Sequence, residues 1–345
     1  MTLQELFGID LPIIQAPMAG AQASAMAIAV SNAGGLGSLP CALLSPQDSR
    51  TELRIIQFGT TRPFNVNFFC HTPPQPDAAR EAAWRTRLAP YYLELGVDPS
   101  SISAQPARAA FNAYWLELLS EFRPPVVSFH FGLPSADLLA GVRAWGAKIL
   151  STATTVAEAE WLAAQGVDAI IAQGIEAGGH RGMFLSTELT TQVGTFALLP
   201  QIVQAVRTPV IAAGGIASPA GVAAALALGA AGVQIGTAYL LCPEAQITPL
   251  HRDALKSKAA RHTALTNVFS GRPARGIVNR LVREVGPISD AAPEFPLAGT
   301  ALAPLRTAAE CAGSSDFSPL WSGQNATGCQ EIPAAQLTRM LAGAS

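Results

Sequence analysis

The chain has 345 residues, which is enough for two domains or for one large barrel with a smaller attachment. Charged residues make up only 13% of it, about half the usual share. The formal net charge of −2 and the isoelectric point near 6.2 exclude a basic surface for nucleic acid. We therefore expect small molecules as its partners.

Cysteine usage and hydropathy point to a cytoplasmic protein without a membrane partner. The five cysteines are odd in number, scattered, and without metal-site spacing, so we interpret them as free thiols in a reducing compartment. Two stretches without charged residues, 11–47 and 208–243, are cut by Gly and Pro into pieces shorter than the roughly 20 apolar residues a membrane span needs. The first ten residues include Glu5 and Asp10 and no basic segment, which argues against a secretory signal.

Short apolar runs recur eight times along the chain, each followed by a turn and a segment with helical spacing. This pattern is typical of parallel βα units, and eight of them predict a TIM (β/α)8 barrel. The predicted strands are 12–18, 36–39, 64–69, 126–131, 148–152, 169–173, 209–213 and 232–236.

Helix signals support these units and leave two segments outside the repeat. Thr155 precedes a predicted helix at 156–165, Ser218 precedes one at 220–228, and Gly166 and Gly229 end them. A further helix is predicted at 248–262. We expect a barrel over 1–245 with an insertion at about 71–125, a mostly helical substrate or cap region over its mouth at 246–310, and a C-terminal segment at 311–345 that returns to the barrel.

Polar and glycine residues mark the carboxyl ends of the predicted strands, where barrel active sites lie. The most informative stretch is 173–182, in which His180 stands among glycines after an apolar strand. An imidazole is well suited to proton transfer near neutral pH, and glycines let the backbone approach a flat ligand. The other marked ends carry Met18, Ala19 and Gly20; Asn67; His130; Gln173; Gly214 and Gly215; and Gln234, Ile235, Gly236 and Thr237.

The last two strand ends predict a phosphate site. Gly215 lies just before a helix that Ser218 caps, and Gly236 and Thr237 present backbone N–H groups from the neighbouring loop. Amide donors and a helix N-terminus suffice to bind phosphate, and this is its usual location in a barrel. A tight turn between helix and strand is the alternative explanation of the paired glycines.

The remaining polar residues have a structural and a chemical interpretation. The side chains of Asn67 and Gln173 either pair with backbone groups at the rim of the barrel or form hydrogen bonds with the alternating N and O atoms at the edge of a flavin. An amide suits either task because it offers both a donor and an acceptor. His130 is either a hydrogen-bonded core residue or a residue of the site. Arg272 and Arg275 either bind an anionic substrate or lie on a solvent-facing loop. His251 and His262 stand in a polar helical stretch, and we expect both to be solvated.

Several other classes of site are excluded by motif. The histidines are too dispersed for a metal site, and neither His-Glu-x-x-His nor Cys/His spacing occurs. No Gly-x-Gly-x-x-Gly follows the first strand, and no Gly-x-Ser-x-Gly elbow is present.

Taken together, these motifs resemble those of one family, the bacterial class I nitronate monooxygenases, formerly grouped as 2-nitropropane dioxygenases. The resemblance covers most of the chain, and the order and spacing of the motifs make it specific. It rests on residues 12–20, 31–38, 63–69, 166–182, 209–216, 232–237, 269–276 and 320–324.

The resemblance implies a TIM barrel with non-covalent FMN and a smaller, largely helical domain over its mouth. It also implies oxidation of alkyl nitronates, such as propionate 3-nitronate, with O2 to a carbonyl compound and nitrite. His180 corresponds to the family's catalytic histidine, substrate contacts are expected at His130, Ser270 and Arg272, and a homodimer is possible. The expected FMN contacts are Met18, Ala19, Gly20, Asn67, Gln173, Gly178, Gly179, Gly214, Gly215, Gln234, Ile235, Gly236 and Thr237.

Some points stay open at this stage. His180 could act as a base toward a neutral nitroalkane or as an electrostatic partner of a nitronate. Some members of the family have Tyr-Pro where this chain has Phe295 and Pro296, which removes a hydroxyl that could face the substrate. The alternatives are an FMN barrel of the NAD(P)H:quinone reductase or enoyl-ACP reductase type, and a flavin-binding or scaffold protein in which His180 is inert.

Overall fold

The computed structural model describes residues 2–75, 77–102 and 109–343. Eight parallel strands follow one another around a barrel, in the order β1-β9-β8-β6-β5-β4-β3-β2. A parallel bridge between Ile14 and Leu36 joins β1 to the start of β2 and closes the ring. The predicted (β/α)8 barrel is confirmed. Its strands are β1 Ile13–Gln15, β2 Gly37–Pro40, β3 Phe64–Phe69, β4 Val126–His130, β5 Lys148–Ala153, β6 Ala169–Gln173, β8 Val210–Ala213 and β9 Gly232–Ile235.

Helices surround the barrel and begin where the sequence predicts. The side chain of Thr155 accepts a hydrogen bond from the backbone N–H of Glu158, and that of Ser218 from Gly221, each at 3.2 Å. The predicted helix at 248–262 is shorter and continues as a 3-10 helix at Lys258–Arg261. The helices are α1 Leu3–Phe7, α2 Ser24–Asn32, α3 Pro46–Gly59, α4 Ala78–Glu94, α5 Ala113–Phe122, α6 Ala136–Arg143, α7 Val156–Ala164, α8 Thr195–Ala205, α9 Pro219–Ala227, α10 Pro249–Lys256, α11 Arg280–Val285, α12 Ala298–Cys311 and α13 Ala334–Leu341.

Apolar side chains fill the barrel interior at the amino-terminal ends of the strands. Leu3 and Phe7 of α1 pack there with apolar residues of the strands, including Leu36 and Ile211. A buried polar layer lies further along, where the amide nitrogen of Asn65 donates hydrogen bonds to neighbouring serine hydroxyls at 2.9 and 3.0 Å. The interior of the barrel is therefore packed with side chains at these levels.

A second hydrophobic core lies outside the barrel and joins two distant parts of the chain. Trp84 and Tyr92 of α4 pack against α12, and each donates a hydrogen bond to a backbone carbonyl of that helix, at Ala298 and Ala301. The predicted insertion at 71–125 thus contributes to the cap together with 246–310, whereas α5 packs against α3 and α6 beside the barrel. Residues 76 and 103–108 of that insertion lie outside the described residues, and the proposed domain boundaries stay a prediction.

A small antiparallel sheet connects the cap to the barrel, and the sequence did not predict it. Its strands are β7 Gly179–His180, β10 Thr263–Thr266 and β11 Ala274–Ile277, in the order β10-β11-β7. The pairing sets His180 opposite Ala274. The stretch around His180 is therefore part of a sheet, and the mostly helical cap region also contains a β-hairpin. In the described part of the chain, no helix is long and apolar enough to cross a bilayer.

Candidate active site

One cavity of about 300 Å³ lies between the carboxyl ends of the strands and the cap. It brings together His180, His130 and all thirteen residues predicted to contact the cofactor. Ser270 and Arg272 are not among the residues that line it. The described residues contain no group of three or more His, Cys, Asp or Glu side chains that could hold a metal ion.

One end of the cavity is built from glycine-rich backbone. Gly214 and Gly215 have φ angles of +115° and +73°, which residues with a side chain rarely adopt. They precede the capped N-terminus of α9, and Gly236 and Thr237 lie beside them on the cavity wall. Backbone amides and a helix N-terminus at one point form a cradle suited to a phosphate group.

The C-terminal segment completes this end of the cavity, and none of the predicted site residues lies in it. The backbone N–H of Gly323 donates to Oγ1 of Thr237 at 2.9 Å, and the side-chain amide of Asn325 donates to the carbonyl of Gly215 at 2.9 Å. Gly178 and Gly323 approach so closely that a Cβ on Gly178 would lie 2.5 Å from the backbone nitrogen of Gly323. The C-terminal segment therefore contacts the segments after β6, β8 and β9.

Two amides at the barrel mouth have acceptor oxygens placed for a ligand. Nδ2 of Asn67 donates to the hydroxyl and carbonyl of Ser128, at 2.9 and 3.2 Å, so the oxygen is the group available to a donor in the cavity. Oε1 of Gln234 is buried and has no hydrogen-bond partner among the described residues. Since a buried polar atom is normally paired, this oxygen indicates that a ligand donor belongs there.

Gln173 makes the backbone hydrogen bonds of the structural interpretation. Its Nε2 donates to the carbonyl of His180 at 3.1 Å, and its Oε1 accepts the backbone N–H of Gly182 at 2.8 Å. The side chain therefore holds the His180 segment across the end of β6, while also lining the cavity. Its assignment as a cofactor contact stays a prediction.

His180 stands in an aromatic enclosure. The centres of the rings of Phe295 and Trp321 lie 5.4 and 5.5 Å from that of His180, and Phe131 and Phe69 lie at 6.1 and 6.2 Å. Nε2 of His180 is 2.9 Å from Oγ of Ser270. Packing against these rings and the contact with Ser270 position the imidazole at the wall of the cavity.

Two buried arginines fix the backbone that carries His180. Arg181, with 1% of its surface exposed, donates to the carbonyls of Gln173 and Gly174 at 2.6 Å each, and Arg275 donates to that of Ile175 at 2.8 Å. Burial, followed by the charge of Arg275, lowers the pKa of Arg181 to about 10, so Arg181 stays charged at neutral pH, and burial also lowers the pKa of Arg275. The alternative of a solvent-facing loop is wrong for Arg275, which is 5% exposed.

The three predicted substrate residues occupy different positions around His180. His130 lines the cavity, and its two ring nitrogens lie 3.1 Å from Oγ1 of Thr152 and from the carbonyl oxygen of His180. Oγ of Ser270 lies 2.9 Å from Nε2 of His180, and the guanidinium of Arg272 lies 4.2 Å from the centre of the Phe131 ring. Burial lowers the pKa of Arg272. Their assignment to the substrate stays a prediction.

The far end of the cavity lies in the cap and is polar. His251 lines it, is only 8% exposed, and has Nε2 3.1 Å from the carbonyl of Trp321. The expectation that His251 is solvated is wrong, whereas His262 is exposed as expected. Arg306 and Glu310 form an ion pair of 2.8 Å at this end. No local sequence pattern predicts that these residues belong to a site. The contact that covers His251 comes from Trp321, 70 residues further along the chain.

The fold and the cavity define a class of protein: a (β/α)8-barrel enzyme in which a glycine-rich anion cradle and a histidine share one site. The nitronate monooxygenase family model matches residues 1–343. The chain is 44% identical over 339 residues to nitronate monooxygenase from Pseudomonas aeruginosa, covering 97% of this chain and 96% of the relative. The chain belongs to the nitronate monooxygenase family, and it is an oxidoreductase.

Two solved structures show the same architecture. Nitroalkane oxidase from Streptomyces ansochromogenes superposes with a TM-score of 0.87 at 39% identity, over 99% of this chain and 96% of the other. FabK from Thermotoga maritima superposes with a TM-score of 0.73 at 27% identity, over 99% and 94% of the two chains. The likeness therefore includes the cap as well as the barrel.

Proposed function

We propose that the protein is an FMN-dependent nitronate monooxygenase that oxidises alkyl nitronates, such as propionate 3-nitronate, with O2 to a carbonyl compound and nitrite. The observation that carries the proposal is that the glycine cradle and His180 line the same cavity. Membership of the nitronate monooxygenase family supports the reaction class.

The cavity residues fit FMN in three respects. Gly214, Gly215, Gly236 and Thr237 would hold the phosphate through backbone amides. The buried Oε1 of Gln234 would accept a hydrogen bond from the ribityl chain, and Oδ1 of Asn67 would accept one from a ring N–H. Bound FMN supplies the electron acceptor for the oxidation.

The protein's own residues then orient the substrate and exclude water. The rings of Phe69 and Trp321 beside His180 give an apolar wall for the alkyl part of a nitronate. His180 faces the nitro group as a base or as an electrostatic partner. His130 stays neutral at physiological pH, because burial lowers its pKa to about 4, so it cannot serve as a second cation.

The purified protein tests this proposal directly. We expect it to be yellow, to release FMN on denaturation, and to consume O2 and produce nitrite from propionate 3-nitronate without NAD(P)H. The His180→Asn variant should retain FMN and lose most turnover, because the ring is assigned to chemistry. A fully active variant would contradict that assignment.

A second candidate is the alternative left open by the sequence, reduction of a quinone or an enoyl thioester with NAD(P)H, and the superposition on FabK shows that the same architecture occurs outside the nitronate monooxygenases. The same purified protein can be used to distinguish the two functions. Oxidation of NADH with a quinone, together with the absence of nitrite from any nitronate, would overturn the primary proposal and favour this one.

A further inference from the structure

The C-terminal segment contributes hydrogen-bond donors to the glycine-rich cradle, and the cradle contributes the acceptors. We call residues 323–329 the C-terminal strap. The side-chain amide of Asn325 donates to the carbonyl of Gly215 at 2.9 Å, and the backbone N–H of Gly323 donates to Oγ1 of Thr237 at 2.9 Å. In both contacts an oxygen of a cavity-lining residue is paired with the strap.

Two further contacts have the same direction. The backbone N–H of Gln324 donates to the carbonyl of Glu176 at 2.9 Å. The thiol of Cys329 donates to the carbonyl of Thr237 at 3.0 Å, and burial raises the pKa of this thiol to about 12, so it keeps its proton at neutral pH. The strap thus covers acceptor oxygens on the segments after β6, β8 and β9.

Covered acceptors matter because the proposed occupant of the cradle is a phosphate. Carbonyl oxygens carry partial negative charge and repel a phosphate, whereas N–H groups attract it. A trans peptide holds its C=O and N–H on opposite sides, so the bond from Asn325 to Gly215 also fixes the N–H of Ile216, which lines the same wall. With φ of +73°, Gly215 has the conformational freedom of glycine, and without this bond its carbonyl can turn toward the phosphate.

The orientation of the Asn325 amide follows from its partners. Oδ1 accepts the backbone N–H of Thr327 at 3.2 Å and the hydroxyl of the same residue at 2.6 Å. Nδ2 faces the carbonyl of Gly215, which can only accept. With the amide reversed, a donor would face a backbone donor and an acceptor would face a backbone acceptor, so the strap presents a donor to Gly215.

The carboxylate of Glu176, which also lines this end of the cavity, is paired within the protein. Its oxygens accept the backbone N–H of Thr195 at 2.8 and 3.0 Å and the hydroxyl of Thr195 at 2.9 Å, at the first residue of α8. The N-terminus of α8 therefore stabilises this negative charge.

We propose that the C-terminal strap makes the cradle selective for a phosphate by pairing its acceptor oxygens, with Asn325 as the positioning residue that holds the Gly215 peptide. The proposal rests on the proposed function and deepens it, because the phosphate is that of FMN. Asn325 acts on the phosphate through the backbone of the cradle and leaves the isoalloxazine ring unaffected.

Paired titrations with FMN and riboflavin test this role, because the two flavins differ only in the phosphate. Each is titrated into the cofactor-free protein, and flavin fluorescence gives its dissociation constant. In Asn325→Ala we expect a dissociation constant for FMN about tenfold higher and one for riboflavin within about twofold of the parent's. A general loosening of the cavity would instead weaken the binding of both flavins by the same factor.

Asn325→Asp is a second variant with the same shape. It keeps Oδ1 as the acceptor for Thr327 and sets a carboxylate oxygen against the carbonyl of Gly215 in place of a donor. We expect FMN to be weakened more than in Asn325→Ala, since the added negative charge also repels the phosphate, while riboflavin is again little affected.

Asn32→Ala is the matched control. Nδ2 of Asn32 donates to the carbonyl of Gly59 at 3.1 Å, and its Oδ1 accepts the hydroxyl of Thr60 at 2.6 Å, so the contacts are of the same kind. Asn32 is exposed and is not among the residues that line the cavity. Both dissociation constants should stay at the parent's values.

The outcomes keep the role of the strap apart from the proposed function. Equal losses for FMN and riboflavin in Asn325→Ala, or dissociation constants equal to those of Asn32→Ala, would overturn the role of Asn325. A parent protein that binds the two flavins equally well would overturn the phosphate cradle and the proposal with it. If the parent prefers FMN but produces no nitrite from any nitronate, the proposed oxidation fails, while the two titrations still decide the role of the strap.

Discussion

Nε2 of His130 lies 3.1 Å from the carbonyl oxygen of His180. Because a carbonyl can only accept, Nε2 must carry the proton, and Nδ1 accepts from the hydroxyl of Thr152. The side-chain amide of Gln173 donates to the same carbonyl oxygen, so both lone pairs of that oxygen are used. The backbone of His180 is thereby tied to β4 and to β6 at once, which fixes the ring relative to the barrel.

Removing this donor should reduce catalysis more than it reduces stability. In His130→Phe the carbonyl keeps only Gln173, and we expect a fall in kcat of about tenfold, since loss of a hydrogen bond of about 1 kcal/mol loosens the His180 segment. His130→Gln can restore a donor and should recover part of the activity. Steady-state nitrite production measures both. Equal activity in the phenylalanine variant and the parent would show that the contact does not orient His180.

The stability of the fold should fall in mild acid because of two histidines. Burial, as the largest cause, lowers the pKa of His130 and of His251 to about 4, against about 6.5 in an unfolded chain. Between these values the unfolded state binds more protons than the folded state, so the free energy of unfolding decreases as pH falls from about 6.5 to about 4. At pH 5 each histidine should cost about 2 kcal/mol.

Urea unfolding at pH 7.5 and pH 5 measures this effect through tryptophan fluorescence. His251→Gln removes one of the two groups, and its loss of stability between the two pH values should be roughly half that of the parent. A free energy of unfolding that is the same at both pH values would contradict the burial of these rings.

Most strands and helices of the barrel can be predicted from short stretches of sequence. Strands such as β6 and β8 are buried on both faces and therefore read as continuous apolar runs, and the helices between them carry their own caps at Thr155 and Ser218. Because the carboxyl ends of parallel strands meet at one face, the residues after these runs converge without further information. This explains why every predicted cofactor residue lines the cavity.

The contacts that tune the site are not local. β7 has two residues, and it pairs with β11 about 95 positions further along the chain, which no periodicity reveals. From the sequence, Arg275 is expected to be a charged residue of a loop. The pairing of β11 with β7 instead buries it against the carbonyl of Ile175. The approach of Gly323 to Gly178 likewise depends on how the C-terminal segment returns, and no spacing predicts it.

Arg181 should contribute strongly to stability although it is adjacent to His180. In Arg181→Met the carbonyls of Gln173 and Gly174 and the side-chain oxygen of Gln192 each lose a buried donor. We expect a loss of about 3 kcal/mol or more in the free energy of unfolding.

Arg143 provides the matched control for that experiment. It also donates to two backbone carbonyls, those of Gln165 and Gly166, but at the surface. Arg143→Met should cost less than about 1 kcal/mol, because water replaces the lost donor. Similar losses in the two variants, measured by urea unfolding at pH 7.5, would mean that the buried arginine is not holding the His180 segment.

A methyl group on Gly178 should weaken cofactor binding by separating two backbone segments. The added Cβ would lie 2.5 Å from the nitrogen of Gly323 and 2.6 Å from the carbonyl carbon of Ser322, and neither backbone atom can turn aside as a side chain could. We expect Gly178→Ala to cost about 1–3 kcal/mol, which corresponds to a dissociation constant for FMN about 5- to 160-fold higher if the strain falls on the cradle. Fluorescence titration of FMN into the cofactor-free variant measures it. Gly221→Ala is the control, because the nearest atom to its Cβ is Cγ2 of Ile216 at 3.5 Å, an ordinary van der Waals distance. If both variants bind FMN equally well, the contact between the two glycines does not shape the cradle.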